Sequence, residues 1–162
     1  MILGQALTQL KNLKSKAART EVYINASAVY YEDATPDYDY EQELINRANL
    51  NEEILKLKTR IQLTNAKTMV THKGQSITLA ELILRNAALR TEMAFVARQM
   101  SHTADEESRW GGGRKKDELK KVLAKGCDKQ VFKKRIDELE REKEELEACL
   151  AWANSSTTLV DA

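Results

Sequence analysis

The segment VFKKRIDELEREKEELEACLAWA, residues 131–153, places Phe132, Ile136, Leu139, Lys143, Leu146, Leu150 and Ala153 at alternating steps of four and three. On an α-helix of about six turns these positions fall on one narrow stripe, a heptad seam. A lone helix cannot bury its own stripe, so the segment demands partner helices.

The same spacing recurs three times upstream. Leu3, Ala6, Leu7, Leu10, Leu13, Ala17 and Ile24 predict a first helix over residues 3–26. Leu50, Ile54, Leu57, Ile61 and Thr64, broadened by Leu44, Ala48 and Leu55, predict a second, running from Asp37 or Tyr40 to Asn65. Asn65 can close that helix in the left-handed region. Leu79, Leu82, Asn86, Leu89, Met93, Val96 and Met100 form the third seam. Thr78 followed by Glu81 reads as a capping box that starts it. Asn86 lies either at the edge of a wide stripe or at a core position, where its amide would fix register.

The segments between the seams are short on helical signal. In VYYEDATPDYDYE, residues 29–41, Pro36 disfavours a helical Thr35, and Asp39 or Thr35 can cap the next helix. TMVTHKGQSI, residues 68–77, alternates β-branched and polar residues around Gly74 and reads as an extended turn or small hairpin. Residues 101–128 form the longest irregular stretch, with Gly111, Gly112 and Gly113 forbidding a stable helix there. Within it DELKKVLAKG has two readings, a two-turn helix ended by Gly126 or an extended segment, with a minor β element near 119–126, running to Asp128 as the cap of the last helix.

With 162 residues, 42% of them hydrophobic, and a single proline, the chain is sized for one helical core. A net charge of +1 gives no global steering toward nucleic acid or anionic lipid. There is no basic n-region followed by an apolar core, and no run approaches the ~18 apolar residues of a membrane span. The expected location is cytoplasmic. Cys127 and Cys149 lack CxxC or Cys/His spacing and read as free reduced thiols.

Two offsets suggest an internal duplication. The seam starting at Leu3 matches that starting at Leu79 at an offset of 76, and Asn65–Val70 resembles Asn154–Val160 at an offset near 89. The expected fold class is all-α: an antiparallel up-down-up-down four-helix bundle built as two pseudo-repeated helical hairpins with coiled-coil seams. The hairpins would span about 1–67 and 77–156 of a single domain 1–162, with minor β elements near 68–77 and 119–126.

LGQALTQLKNLK at the start, SITLAELILRNAALR at the third helix and the ending IDELEREKEELEACLAWANSSTTLV resemble the septicolysin-like family of small bacterial helical proteins. The resemblance implies a helical, coiled-coil fold and no established activity. Residues 105–127 depart from the pattern, with WGGGRKK where the family has an Arg-Tyr-rich extended segment. Trp152 also precedes Asn154, whereas relatives place Trp directly after the Asn.

Catalytic material is sparse. His72, in a turn beside Lys73 and Gly74, and His102, after the third helix, both read as solvated. HExxH, GxSxG and GxxxxGK[ST] are absent, so Gly111–Lys116 does not read as a P-loop. Glu140/Glu144 and Glu138/Glu142 fall one turn apart, but no ExxH accompanies them as a di-iron bundle requires. No enzyme, cofactor or metal is expected.

Charge segregation is the remaining signal. Residues 32–41 hold five acids and no base, interleaved with tyrosines; residues 109–135 hold eleven bases against three acids. Loops 32–41 and 109–135 would emerge at one end of an up-down-up-down bundle and pair within or between subunits. Tyr31, Asp33, Asp37, Tyr38, Asp39 and Tyr40 form a candidate interaction loop. Arg109, Trp110, Arg114, Lys115 and Lys116 form a candidate contact for that acidic loop or for a polyanion. The favoured reading is a self-associating scaffold, a homo-oligomer with an unidentified protein partner. An RNA- or polyanion-associated protein is the alternative.

Overall fold

The computed structural model describes residues 1–110 and 128–160. The helical seams become four long helices: α1 (Leu3–Ser27), α2 (Tyr40–Lys67), α3 (Leu79–Trp110) and α4 (Lys129–Ser156). Between α2 and α3 lies an antiparallel hairpin of β1 (Met69–His72) and β2 (Gln75–Thr78). The fold class is therefore the all-α one expected, with a minor β element at the expected place; the expected meeting of the 32–41 loop with the basic stretch is not seen for its described part, the start of α4, because the hairpins pair at the opposite ends of their helices. The expected element over 119–126 falls outside the described residues.

The seam of α4 is buried where it was expected to be. Leu139, Leu146 and Ala153 are buried, while Phe132, Ile136 and Leu150 pack partly buried against the same core. Lys143 is half-buried at its seam position. The second helix of each pair begins with a side-chain cap. Asp39 accepts from the Gln42 N–H at 3.1 Å and Asp128 from the Val131 N–H at 2.8 Å, satisfying donors that the first helical turn leaves open.

Packing is concentrated within two antiparallel hairpins, α1 with α2 and α3 with α4; the hairpins meet at their open ends. There Leu3, Ala6, Leu57, Ile61, Leu79, Leu82, Leu146 and Ala153 join Val70, Ile77 and Leu159 in one core. Positions 76 apart share burial: Leu3 with Leu79, Ala6 with Leu82, Leu13 with Leu89, Thr20 with Val96. The helix ends behave alike too. Thr68 and Thr157 are both extended caps whose N–H groups bond to Thr64 O and Ala153 O, each at 2.9 Å. Their carbonyls then accept the first N–H of the opposite hairpin: Leu79 N to Thr68 O at 2.8 Å, Leu3 N to Thr157 O at 2.9 Å. An isolated bridge joins Ile2 to Thr158, and Leu159 N donates to Met1 O, so the two ends of the described chain pair with each other.

Each extended segment continues from its own helix onto the other hairpin. β1 runs along α4, and its turn residue Lys73 reaches Glu142 at 3.0 Å and Glu145 at 3.9 Å. Residues 157–160 run along α2, where Arg60 Nε donates to Val160 O and Thr64 Oγ1 accepts from Val160 N at 3.1 Å. The β1–β2 turn places Lys73 at φ 48 and Gly74 at φ 76. That pair of left-handed residues matches the twist of a two-residue hairpin, and glycine adopts it without strain.

Four local expectations are corrected. α3 continues to Trp110 instead of ending near Met100, because Ser101 and Thr103 satisfy their hydroxyls on the carbonyls of Ala97 and Gln99 and so do not break the helix. Asn65 does not close α2, which runs to Lys67 and ends on the extended Thr68. His72 is buried, not solvated, because it shares the inward face of β1 with Val70. At Thr78 half of the capping box forms: its Oγ1 accepts the Glu81 N–H at 3.1 Å, while the Glu81 carboxylate pairs with Arg85 at 2.7 Å.

Candidate functional site

The tip of the first hairpin, from the last turns of α1 through the connection to the first turn of α2, concentrates exposed apolar side chains. Val29 is 87% and Tyr31 83% exposed, with Tyr30, Val22 and Ile45 each more than half exposed. The segment cannot fold back onto the seam. Ser27 ends α1 buried, with its hydroxyl on Tyr23 O at 2.7 Å, and Pro36 and the Asp39 cap fix where α2 begins. The connection between them is held by the Tyr23–Tyr38 stack, ring centroids 4.2 Å apart at 20°. Such offset pairs are worth about 0.5–1.5 kcal/mol beyond their buried area.

These two contacts sort the candidate loop. Tyr38 and Asp39 have structural work, one stacking on α1 and the other capping α2. Tyr31, Asp33, Asp37 and Tyr40 are exposed, and Tyr31 lies with Val29, Tyr30, Pro36 and Asp37 around a shallow depression of about 460 Å³. Among the described residues, no ion pair engages the carboxylates of Glu32, Asp33, Asp37 or Glu41. The acids at the tip therefore project an uncompensated negative field from a partly apolar surface. Arg47, one turn further along α2, is engaged with Glu21 at 3.2 Å and with Ala17 O.

Of the basic candidates, Arg109 and Trp110 belong to the last turn of α3, and Arg114, Lys115 and Lys116 lie outside the described residues, as does Cys127. The described part of the basic stretch is the start of α4. There Lys129, Lys133, Lys134 and Arg135 are all exposed, and Arg135 is engaged with Glu138 at 3.6 Å. Val131, in the same turns, is 46% exposed. Val22, Ile45 and Val131 are not marked by the composition of the loops. Each falls off the four-three spacing of its helix, and an apolar residue off the seam is the signal that marks it.

Among the described residues no group of three His, Cys, Asp or Glu could hold a metal ion, and no helix is long and apolar enough to cross a membrane. Cys149 is a free thiol whose Sγ lies 3.9 Å from Thr71 O. A groove between α1 and α4, lined by Gly4, Gln5, Thr8, Asn12, Ala151 and Asn154, is open, with no titratable side chain among these residues.

No curated protein matches the chain. A solved structure described as a functionally unknown conserved protein from Corynebacterium diphtheriae is similar to it. The TM-score is 0.83 over 99% of both chains, at 21% identity, a likeness that shows the fold alone. The comparisons do not support the septicolysin-like naming. Residues 10–159 match the model described as Family of unknown function (DUF6847), and the chain belongs to that family.

Proposed function

We propose that this chain is a non-enzymatic, self-associating helical scaffold of the cytoplasm, a single domain of two tandem hairpins that works by binding protein. One observation carries the reading: apolar side chains off the seams stay exposed on the outer faces of the helices. Leu55 is 58%, Leu84 70% and Phe95 51% exposed, and Leu44 adds 44%. Single exposed apolar residues are ordinary, but two on α2 and two on α3 are what an interface leaves when its partner is absent.

Sedimentation velocity at micromolar concentration tests this directly. The expected species has at least twice the 18.4 kDa mass of the chain. A monomer throughout that range would overturn the scaffold reading. Affinity purification from the native cell with and without nuclease separates it from the polyanion alternative. Co-purifying proteins that survive nuclease support the scaffold, and RNA retained at physiological salt and lost with its bound partners on nuclease treatment favours the alternative.

A further inference from the structure

The tip of the first hairpin presents apolar and acidic groups together, and among the described residues none covers them. Phosphate-bearing surfaces are excluded by sign, since Glu32, Asp33, Asp37 and Glu41 would repel them. The fitting partner is basic, with some apolar surface for Val29, Tyr30 and Tyr31 to rest on. Tyrosine faces also attract ammonium and guanidinium groups.

The chain itself carries such a surface at the start of α4, where Lys129, Lys133 and Lys134 are exposed beside the half-exposed Val131. Within one copy the two surfaces do not meet. Among the described residues the backbone hydrogen bonds between the hairpins lie at their open ends, and α4 approaches α1 through Asn154 and Thr157, at the opposite end of the helix from Lys129. We propose that the Val29–Asp37 tip of each molecule seats on the Lys129–Lys134 face of α4 in a second copy, in a closed two-fold dimer. Two-fold symmetry makes that contact twice, tip to α4 and α4 to tip, leaving neither charged surface unpaired.

This inference rests on the self-association proposed above and adds its surface, so the test must separate the two. Sedimentation equilibrium is run on the wild-type chain, on Asp33→Lys/Asp37→Lys, on Lys133→Glu/Lys134→Glu and on an equimolar mixture of the two variants. Far-ultraviolet spectra establish that each is folded. Wild type should dimerise, and each variant alone should associate more weakly by on the order of a hundredfold, because like charges meet at both contacts. The mixture should recover wild-type affinity, since every reversed tip then meets a reversed α4. A carbodiimide should couple the 32–37 acids to the 129–134 lysines in the wild-type dimer band alone. Wild type and both variants dimerising equally, with no rescue to observe, would overturn this contact and leave self-association standing. A monomeric wild type would overturn both.

Discussion

Thr64 offers the sharpest test of how the open ends of the hairpins are held. Its side chain is fully buried, and its hydroxyl donates to Arg60 O at 2.7 Å while accepting the Val160 N–H at 3.1 Å. Thr64→Val keeps the shape and replaces the hydroxyl by a methyl. The Arg60 carbonyl still has its helical partner, so losing the donated bond costs little. The Val160 N–H loses its acceptor, at a cost of about 1–3 kcal/mol for a partly desolvated donor. Burying the new methyl offsets roughly 0.8 kcal/mol of that. The net expectation is a loss of up to about 2 kcal/mol, which in a chain of this size lowers Tm by roughly 2–4 °C per kcal/mol. Reversible urea unfolding measures the loss, and amide hydrogen exchange locates it. Val160 should lose protection in Thr64→Val and keep it in Thr64→Ser, which retains the hydroxyl. A valine variant with wild-type stability and an equally protected Val160 amide would refute the role given to this hydroxyl.

Asn86 is buried on the core face of α3 with Oδ1 unpartnered, so Asn86→Leu should raise stability by about 1 kcal/mol once the larger side chain has repacked. A lowered midpoint in urea would show that the amide has a partner in solution. Gly4→Ala should do the reverse of what helix propensity suggests. The added Cβ would sit 3.0 Å from Asn154 O, a backbone atom, so α1 and α4 must part, and a net loss of about 1–2 kcal/mol is expected where propensity alone predicts a gain. A stabilised Gly4→Ala protein in the same assay would show that the two helix ends give way freely.

The helices were legible because heptad spacing is a direct image of burial. Leu139, Leu146 and Ala153 are spaced at seven and are the buried residues of α4; Leu57, Ile61 and Thr64 follow the same rule on α2. Ser101 and Thr103 hid the end of α3, because helix-breaking residues become neutral when their hydroxyls bond back to the preceding turn. The burial of His72 is hidden for a different reason. The Lys73–Gly74 turn signalled exposure, whereas the strand period of two carries His72 to the same face as Val70. At the candidate site, the tyrosines and acids of 31–40 were visible by composition. That Tyr38 stacks on Tyr23 and Asp39 caps α2, leaving Tyr31 and Asp37 free, depends on contacts between separate segments that no local pattern encodes.

The pairing of Ile2 with Thr158 and of Met1 with Leu159 makes the chain a nearly closed ring in its connectivity, with the β1–β2 turn at the corresponding place across it. A ring has no privileged starting point. Joining residue 162 to residue 1 through a short linker and opening the chain between Lys73 and Gly74 should therefore yield a circular permutant with the same helices and nearly the same unfolding midpoint. In that permutant the first and last residues would belong to the exposed β-turn, while the present ends would become an ordinary covalent hairpin. Folding order would also invert: α3 and α4 would emerge from the ribosome first, and α1 and α2 would close the structure onto them.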